Sequence, residues 1–318
     1  MSGAADLVIE TAGLTKRLGG RDVVNGIDLA VPRGSVFGFL GPNGSGKTTT
    51  IRILLGLASA TSGEVRVLGQ SIPRALQEIL PRVGALVEGP GFYPFLSGTA
   101  NLLRLDAADR YVSPSTRPQR VETALERVGL SQAAGKKVGR YSLGMKQRLG
   151  IANALLTHRD LIVLDEPTNG LDPQGTREVR HLVRSLTEEG TTVFVSSHLL
   201  TEVEQICSHA AVLSAGSLVA QGSLDELRRS GEPRIRVNTP DVTQTSAVLR
   251  RLGTTPDDDG ATPNAHSVTA LLPAGLAPDR VVRELVEADV RVNGFSVDQA
   301  GLEDLFVALT GEGFDVVQ

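Results

Sequence analysis

The stretch GPNGSGKTTT, Gly41 to Thr50, is the most informative part of this chain. Its first eight residues fit the pattern G-x-x-x-x-G-K-[ST], in which backbone N–H groups close around a phosphate. The apolar run SVFGFLG leads into it and a helical pattern follows, so the stretch joins a strand to a helix. This context predicts a phosphate-binding loop and leaves a glycine-rich turn with an exposed lysine as the weaker alternative.

Each part of this loop has a predicted task. The glycines allow close backbone approach, Lys47 reaches the β- and γ-phosphate oxygens, the Thr48 hydroxyl ligates Mg²⁺, and Thr49 serves the α-phosphate. The loop residues predicted to bind the nucleotide are Gly41, Asn43, Gly44, Gly46, Lys47, Thr48 and Thr49.

A pair of carboxylates ends a second apolar strand pattern, LIVLDEP. Asp165 and Glu166 then lie at the sheet edge where an α/β fold holds its ligand. We predict that Asp165 holds Mg²⁺ through water and that Glu166 polarises a water for in-line attack on the γ-phosphate. Taken alone, a solvated acidic turn is the simpler interpretation, and the phosphate loop shifts the balance to the catalytic one.

Composition limits the class of protein and its partners. The chain of 318 residues is 41% hydrophobic and 21% charged, as expected for one large globular domain and a smaller one. A formal net charge of −4 provides no basic surface, so we expect no nucleic-acid partner. The single cysteine, Cys207, favours a reducing compartment. No stretch approaches the roughly 20 apolar residues of a spanning helix, so we expect the chain itself not to enter a membrane.

Alternating strand and helix patterns predict an α/β fold whose central sheet is mainly parallel, with an antiparallel β edge. SVFGFLG, LIVLDEP and TTVFVSSH are apolar enough to be strands buried on both faces. From about 90 to 155 the patterns are helical and predict an insertion. PRIRVN, SVTALLP and DVRVNGFSV, together with a final helical pattern GLEDLFVALTG, predict a small C-terminal α/β accessory domain. We place a nucleotide-binding domain at 1–230 and the accessory domain at 231–318.

Five motifs in order resemble those of the ATP-binding cassette ATPases: the phosphate loop, YSLGMKQR, LIVLDEP, NGLD and His198. The resemblance covers about Leu7 to Leu227 and implies a P-loop ATPase core that uses ATP and Mg²⁺. It also implies that His198 senses the γ-phosphate as part of the catalytic machinery.

The same resemblance implies a head-to-tail dimer. Ser142 begins a helix whose free N–H groups form an anion site. In the family this helix caps the γ-phosphate of the other subunit, so Ser142 and Gly144 are expected to serve ATP bound by the partner. Asp172 is expected in the loop that contacts the dimer partner.

Three features depart from the common family pattern. Leu18 stands where an aromatic residue usually stacks on adenine, and Glu88 stands where most members have glutamine, as a further expected metal ligand. The family's signature motif, at the start of the helix that begins at Ser142, reads Ser-Leu-Gly-Met-Lys here in place of the common Ser-Gly-Gly-Gln, and it retains the Ser and the second Gly. Glu88, the FYPF run and SLGMKQRLGIA together resemble the bacitracin-type and daunorubicin-type drug exporter ATPases.

The FYPF run, Phe92 to Phe95, has two compatible interpretations. Its aromatic rings form an exposed patch for the cytoplasmic helix of a membrane subunit, or they pack the core of the helical insertion. The first interpretation, docking of a membrane subunit, is the one that the family resemblance implies.

The sequence is therefore interpreted as the ATPase subunit of an exporter, with drugs or antibiotics as the cargo that the resemblance implies. It is expected to act as a homodimer with separately encoded membrane permease subunits, at the cytoplasmic face of the cell membrane. The alternative is a soluble ATPase of the same family that acts on a ribosome, DNA or a cluster-assembly partner. One phosphate loop and no heptad run argue against the first two of these.

Glu88 provides the first test. We expect Glu88→Gln to retain substantial ATPase activity, because an amide oxygen can replace a carboxylate oxygen at Mg²⁺ while Glu166 remains the base. Steady-state phosphate release measures this. A loss as deep as that of Glu166→Gln would contradict the assignment.

Overall fold

The computed structural model describes residues 6–87, 91–230, 233–256, 266–273 and 275–298. The chain divides into two compact units between Leu224 and Asp225. This division lies before the boundary at 230 that the sequence predicts. The predicted helix GLEDLFVALTG lies outside the described residues.

In chain order the first unit contains β1 (Leu7–Leu18), β2 (Arg21–Ile27), β3 (Ala30–Pro32), β4 (Val36–Leu40), α1 (Lys47–Leu54), β5 (Ser62–Val67), β6 (Gln70–Ser71), α2 (Leu76–Ile79), β7 (Val83–Leu86), α3 (Gly98–Ala108), α4 (Arg117–Arg127), α5 (Leu143–Ala154), β8 (Leu161–Asp165), α6 (Pro173–Glu188), β9 (Thr192–Ser197), α7 (Leu200–Ile206), β10 (His209–Ser214) and β11 (Ser217–Ser223). Helix α8 (Leu224–Ser230) begins where the first unit ends.

The central sheet has six strands in the order β11-β10-β4-β9-β8-β7. The strands from β10 to β7 pair in parallel, and β11 is an antiparallel edge strand on β10. Every residue of β4, β8 and β9 is buried, as their unbroken apolar patterns predict for parallel strands covered on both faces. The predicted fold class is confirmed.

A second, antiparallel sheet follows the order β2-β1-β5-β6, and β3 also pairs with β1. Side chains from this sheet share one core with α1 and β4, including Ile9, Phe39 and Ile51. Helix α1 is therefore fixed between the two sheets, which holds the loop before it at the edge of the central sheet.

The helical insertion contains α3, α4 and α5. Ser97 caps α3 by accepting a hydrogen bond from the backbone N–H of Ala100, at 3.1 Å. Leu102, Leu125 and Leu149, one from each helix, belong to a second core that also includes residues of β8 and α6. The insertion is thereby packed onto the sheet domain through α5.

One buried carboxylate ties α3 to α4. Asp106 has a fully buried side chain that accepts hydrogen bonds from Arg117 Nε, at 2.9 Å, and from Arg120 Nη2, at 2.6 Å. Burial opposes ionisation of Asp106, but the bonds from Arg120 and Arg117 outweigh it and lower the pKa of the carboxyl. Asp106 is therefore ionised at neutral pH.

Helix α6 shows how the loop before it is anchored. Asp172 caps it, Pro173 occupies its first turn, and its apolar side packs into the core through residues such as Val179 and Leu186. Helix α6 has 16 residues and is amphipathic.

Across the described ranges, no helix combines the length and apolar character that crossing a bilayer needs.

The second unit is a small α/β domain. Its described elements are β12 (Arg234–Asn238), α9 (Val242–Arg251), β13 (Ser267–Leu271), α10 (Pro278–Glu287) and β14 (Gly294–Asp298). The antiparallel sheet has the order β13-β12-β14, and one face packs on the two helices through Ile235, Leu249 and Leu285. The pattern DVRVNGFSV predicts a strand from Asp289, but the strand begins at Gly294, since residues 289–293 form a turn and loop after α10.

Asp106→Asn tests the buried carboxylate and its two arginine partners. We expect a loss of about 3 kcal/mol in the free energy of unfolding near neutral pH, because two arginines lose the charge that compensates them. Because the folded-state pKa of Asp106 is lowered, its contribution is present above about pH 4, the pKa range of an unfolded aspartate, and fades below it. Urea unfolding of both proteins at pH 7 and pH 3 measures this. An equal difference at the two pH values would refute the ionised state of Asp106.

Candidate nucleotide-binding site

Parallel pairing brings three strand ends together. Leu40 at the end of β4 pairs with Ser197 of β9, and Asp165 at the end of β8 pairs with Ser196. Because these strands run in the same direction, the loops that leave them emerge at one edge of the sheet. The phosphate loop, the acidic pair and His198 therefore meet there.

The backbone of the phosphate loop requires glycine at two positions. A Cβ atom on Gly41 would lie 2.8 Å from the Leu213 carbonyl oxygen. Gly46 has φ of 99°, and a Cβ there would lie 2.4 Å from the carbonyl oxygen of Val23. A side chain at either position would push the loop out of its close approach to neighbouring strands.

Lys47 is the buried cation of the site. Its Nζ donates to the carbonyl oxygens of Gly41, at 2.6 Å, and Pro42, at 3.2 Å. The same atom lies 3.3 Å from Glu166 Oε1, and the lysine side chain is 6% exposed. Backbone dipoles and one carboxylate thus compensate a charge that would be costly to bury alone.

Thr48 and Asp165 supply adjacent oxygen atoms. Thr48 Oγ1 donates to Asp165 Oδ2 at 2.8 Å, and Ser196 Oγ donates to Asp165 Oδ1 at 2.5 Å. A hydroxyl and a carboxylate are the hard oxygen donors that Mg²⁺ prefers, and the ion commonly completes its shell with phosphate oxygens and water. Within the described ranges, no group of three or more histidine, cysteine, aspartate or glutamate side chains is placed so that it could hold a metal ion.

Glu166 is held between two partners. His198 Nδ1 lies 2.8 Å from Glu166 Oε2, while Lys47 faces the other oxygen. Glu166 has φ of 48°, a left-handed conformation that a residue with a side chain rarely adopts. Its side chain is 20% exposed as a whole, whereas Oε1, the oxygen that faces Lys47, is buried and has no hydrogen-bond partner.

Ser142, Gly144 and Asp172 lie at the starts of two helices, α5 and α6. Ser142 Oγ caps α5 by accepting from the backbone N–H of Met145, at 3.2 Å, and a Cβ on Gly144 would lie 2.8 Å from Leu171 Cδ2. Asp172 Oδ1 caps α6. Among the hydrogen bonds and ion pairs of the described residues, none joins Ser142 or Asp172 to the phosphate loop.

Of the other predicted residues, Asn43 and Gly44 are exposed in the loop and Thr49 lies half-buried in α1. Glu88 lies outside the described residues. In the FYPF run, Phe92 packs against the core of the insertion, whereas Tyr93 and Phe95 are exposed and contact each other at 5.6 Å between ring centroids. Both interpretations of the run therefore have a ring that fits them.

Several polar residues that support the site were not predicted from the sequence. Glu202, buried on α7, accepts from Thr168 Oγ1 at 2.6 Å and from Ser197 Oγ at 3.0 Å. Glu202 thus joins the segment after Glu166 to the segment before His198.

Burial, with the Glu202 charge as a smaller cause, raises the pKa of the Cys207 thiol to about 12, so this cysteine is uncharged at neutral pH.

Ser196 and Gln147 were also missed. Ser196 Oγ accepts from the backbone N–H of Glu166, at 2.9 Å. Gln147 Nε2 donates to the backbone carbonyl oxygen of Glu166, at 3.1 Å. The only sequence signal was position, since Ser196 lies two residues before His198 and Gln147 lies within the signature motif.

A strand-to-helix phosphate loop beside a paired acidic strand end defines a P-loop ATPase. Residues 24–169 match the ABC transporter family. The bacitracin transport ATP-binding protein BcrA of Bacillus licheniformis is 37% identical over 96% of this chain and 98% of its own. The daunorubicin resistance ATP-binding protein DrrA3 of Streptomyces coeruleorubidus is 36% identical over 97% of each chain.

The fold agrees with these relatives. A dimeric ATP-binding cassette, solved in a post-hydrolysis state with ADP and Pi, superposes with a TM-score of 0.61 at 25% identity, over 68% of this chain and 98% of that one. This chain belongs to the ABC transporter family and is one of its ATP-hydrolysing subunits. The predicted family resemblance, including the drug-exporter group, is confirmed.

Leu18 allows a test of nucleotide contact. It ends β1 with 51% of its surface exposed. We expect Leu18→Tyr to tighten ATP binding several-fold, because an aromatic ring stacked on adenine contributes roughly 0.5 to 1.5 kcal/mol. A titration with a fluorescent ATP analogue measures this, with Leu57→Tyr as the control at another exposed leucine. Unchanged ATP affinity in Leu18→Tyr would show that the adenine ring lies elsewhere.

Proposed function

We propose that this chain is the ATP-hydrolysing subunit of an exporter for drugs or antibiotics. The end-to-end similarity to proteins named for bacitracin transport and daunorubicin resistance supports this cargo class. The observation that carries the proposed chemistry is the Glu166 carboxylate held between Lys47 and His198, one residue after the Thr48–Asp165 pair.

The nucleotide-binding domain, proposed as 1–230, carries every residue of the proposed site, and 231–318 is the proposed accessory domain. Thr48 and Asp165 would hold Mg²⁺, with Glu88 as a further proposed ligand. When bound, the ion would neutralise charge on the β- and γ-phosphate oxygens. The proposed nucleotide contacts are Gly41, Asn43, Gly44, Gly46, Lys47, Thr48 and Thr49.

Three side chains divide the proposed catalytic work. Lys47 exchanges the carbonyl oxygens of its own loop for phosphate oxygens, which places its charge where negative charge develops. Glu166 accepts the proton of the attacking water as general base. His198 holds the Glu166 carboxylate and senses the γ-phosphate.

The proposed working unit is a head-to-tail homodimer. Ser142 and Gly144 would cap the ATP bound by the partner's phosphate loop, and Asp172 would lie at the contact between subunits. Their position at the starts of α5 and α6, with no described hydrogen bond from Ser142 or Asp172 to the phosphate loop of their own chain, supports this arrangement. A dimeric cassette among the similar solved structures supports it as well.

The proposed partners are separately encoded membrane permease subunits, which would hold this chain at the cytoplasmic face of the membrane. Tyr93 and Phe95 form the proposed contact patch, and the Arg104 guanidinium lies 4.9 Å from the Tyr93 ring centroid. Such an exposed aromatic pair is typical of an interface. We propose no nucleic-acid partner, because a net charge of −4 provides no basic surface for one.

The dimer and the base are tested together. Glu166→Gln should bind ATP and stall before hydrolysis, because removal of a general base costs roughly 10² to 10⁴ in rate and spares ground-state binding. Binding energy at two shared sites should then favour association. Light scattering at high protein concentration should show a doubled mass with ATP and Mg²⁺.

Adding Ser142→Arg should abolish this doubling and leave ATP binding by the monomer detectable. Gln119→Arg, on the exposed side of α4, adds the same charge and should leave the doubled mass unchanged. If Glu166→Gln with Ser142→Arg dimerises as well as Glu166→Gln alone, the helix that begins at Ser142 is not a cap for the partner's phosphate.

A further inference from the structure

The backbone of Glu166 needs support from its surroundings. Its φ of 48° is disfavoured for any residue with a side chain, and such conformations persist only where neighbouring groups hold them. Because the backbone conformation sets the direction of the Cα–Cβ bond, the groups that hold the backbone also aim the carboxylate. Lys47 and His198, in contrast, contact only the side chain.

Two different elements hold this backbone. On the sheet side, the fully buried Ser196 accepts from the Glu166 N–H. On the helix side, Gln147 of α5 donates to the Glu166 carbonyl oxygen, at 3.1 Å, and the N–H of Asn169 donates to the same oxygen, at 3.2 Å. Gln147 is therefore the side chain through which α5 reaches the backbone of the proposed base.

The first part of α5 also contacts the far end of the same loop. Gly144 lies so close to Leu171 that an added Cβ would meet its side chain at 2.8 Å, and a Cβ on Gly170 would meet Leu143 Cδ2 at 2.4 Å. The segment from Glu166 to Leu171 thus follows α5 at both of its ends. A shift of α5 along or around its axis must move the carbonyl of Glu166 or break its bond to Gln147.

We infer that Gln147 is a positioning residue that aims Glu166 of its own chain and links this base to the helix that caps the partner's ATP. The inference rests on the proposed function, since it takes Glu166 as the base and Ser142 as the cap. It adds a physical connection between the two ATP sites of the dimer, because one helix caps one site and positions the base of the other.

Gln147→Met removes the donor and keeps a side chain of similar length. We expect kcat for ATP hydrolysis to fall about ten-fold, with KM and the affinity for a fluorescent ATP analogue within two-fold of the parent. Gln119→Met, on the exposed side of α4, is the matched control and should match the parent in all three. A kcat within two-fold of the parent, or an equal fall in Gln119→Met, would overturn the inference.

A mixed dimer shows which site Gln147 serves. One chain carries Ser142→Arg and keeps its base, and the other carries Glu166→Gln and keeps its cap. Each chain alone should be inactive. The mixture, with the capping chain titrated to saturation, should regain one working site, made of the first chain's phosphate loop and base and the second chain's Ser142.

Gln147→Met is then added to one chain at a time. Placed in the chain that keeps its base, it should lower the restored rate about ten-fold, and placed in the capping chain it should leave that rate within two-fold. The reverse result would assign Gln147 to the cap and overturn the inference.

Failure of the proposed function has a different signature. A mixture without activity contradicts the head-to-tail site, and an active Glu166→Gln contradicts the base. In either case the kcat of Gln147→Met in the otherwise unchanged protein still decides whether this side chain supports hydrolysis.

Discussion

The parallel ladder of β4, β9 and β8 is the constraint on which the site depends. These strands are buried along their whole length, so their backbone groups are satisfied by one another and their register is fixed by packing on both faces. Leu40 opposite Ser197, and Ser196 opposite Asp165, place three loops within contact of each other. A shift of one residue in this register would turn Asp165 and Ser196 to opposite faces of the sheet.

Charge in the site is balanced by short, specific contacts. The nearly buried Lys47 is compensated by two carbonyl oxygens and by Glu166, which His198 holds in turn. Asp165 is shared between two hydroxyl donors. Lys47, Glu166 and Asp165 each face two or more partners, so no one contact alone holds any of these three side chains.

The helical insertion is joined to this chemistry through α5. The helix packs with α3 and α4 in one core, contacts the loop at Leu171 and reaches the backbone of Glu166 through Gln147. Asp106, with Arg117 and Arg120, links α3 to α4, so the insertion has its own charge network around a buried carboxylate as well as an apolar core. The insertion is therefore in contact with the backbone of Glu166, the proposed base, through this one helix.

The sequence alone determined the phosphate loop, the buried strands, the helical insertion and the family, because each depends on a local pattern or a fixed order of motifs. It did not determine the partners of Glu166 and Glu202, since Gln147, Ser196 and Thr168 lie far from them along the chain and meet them only through strand register and helix packing. Nor could it show that Asp106 is buried between two arginines or that β14 starts at Gly294, where helix packing and the preceding turn decide. Only the tertiary structure decides such contacts, because a polar side chain has many possible partners in sequence and one set of neighbours in space.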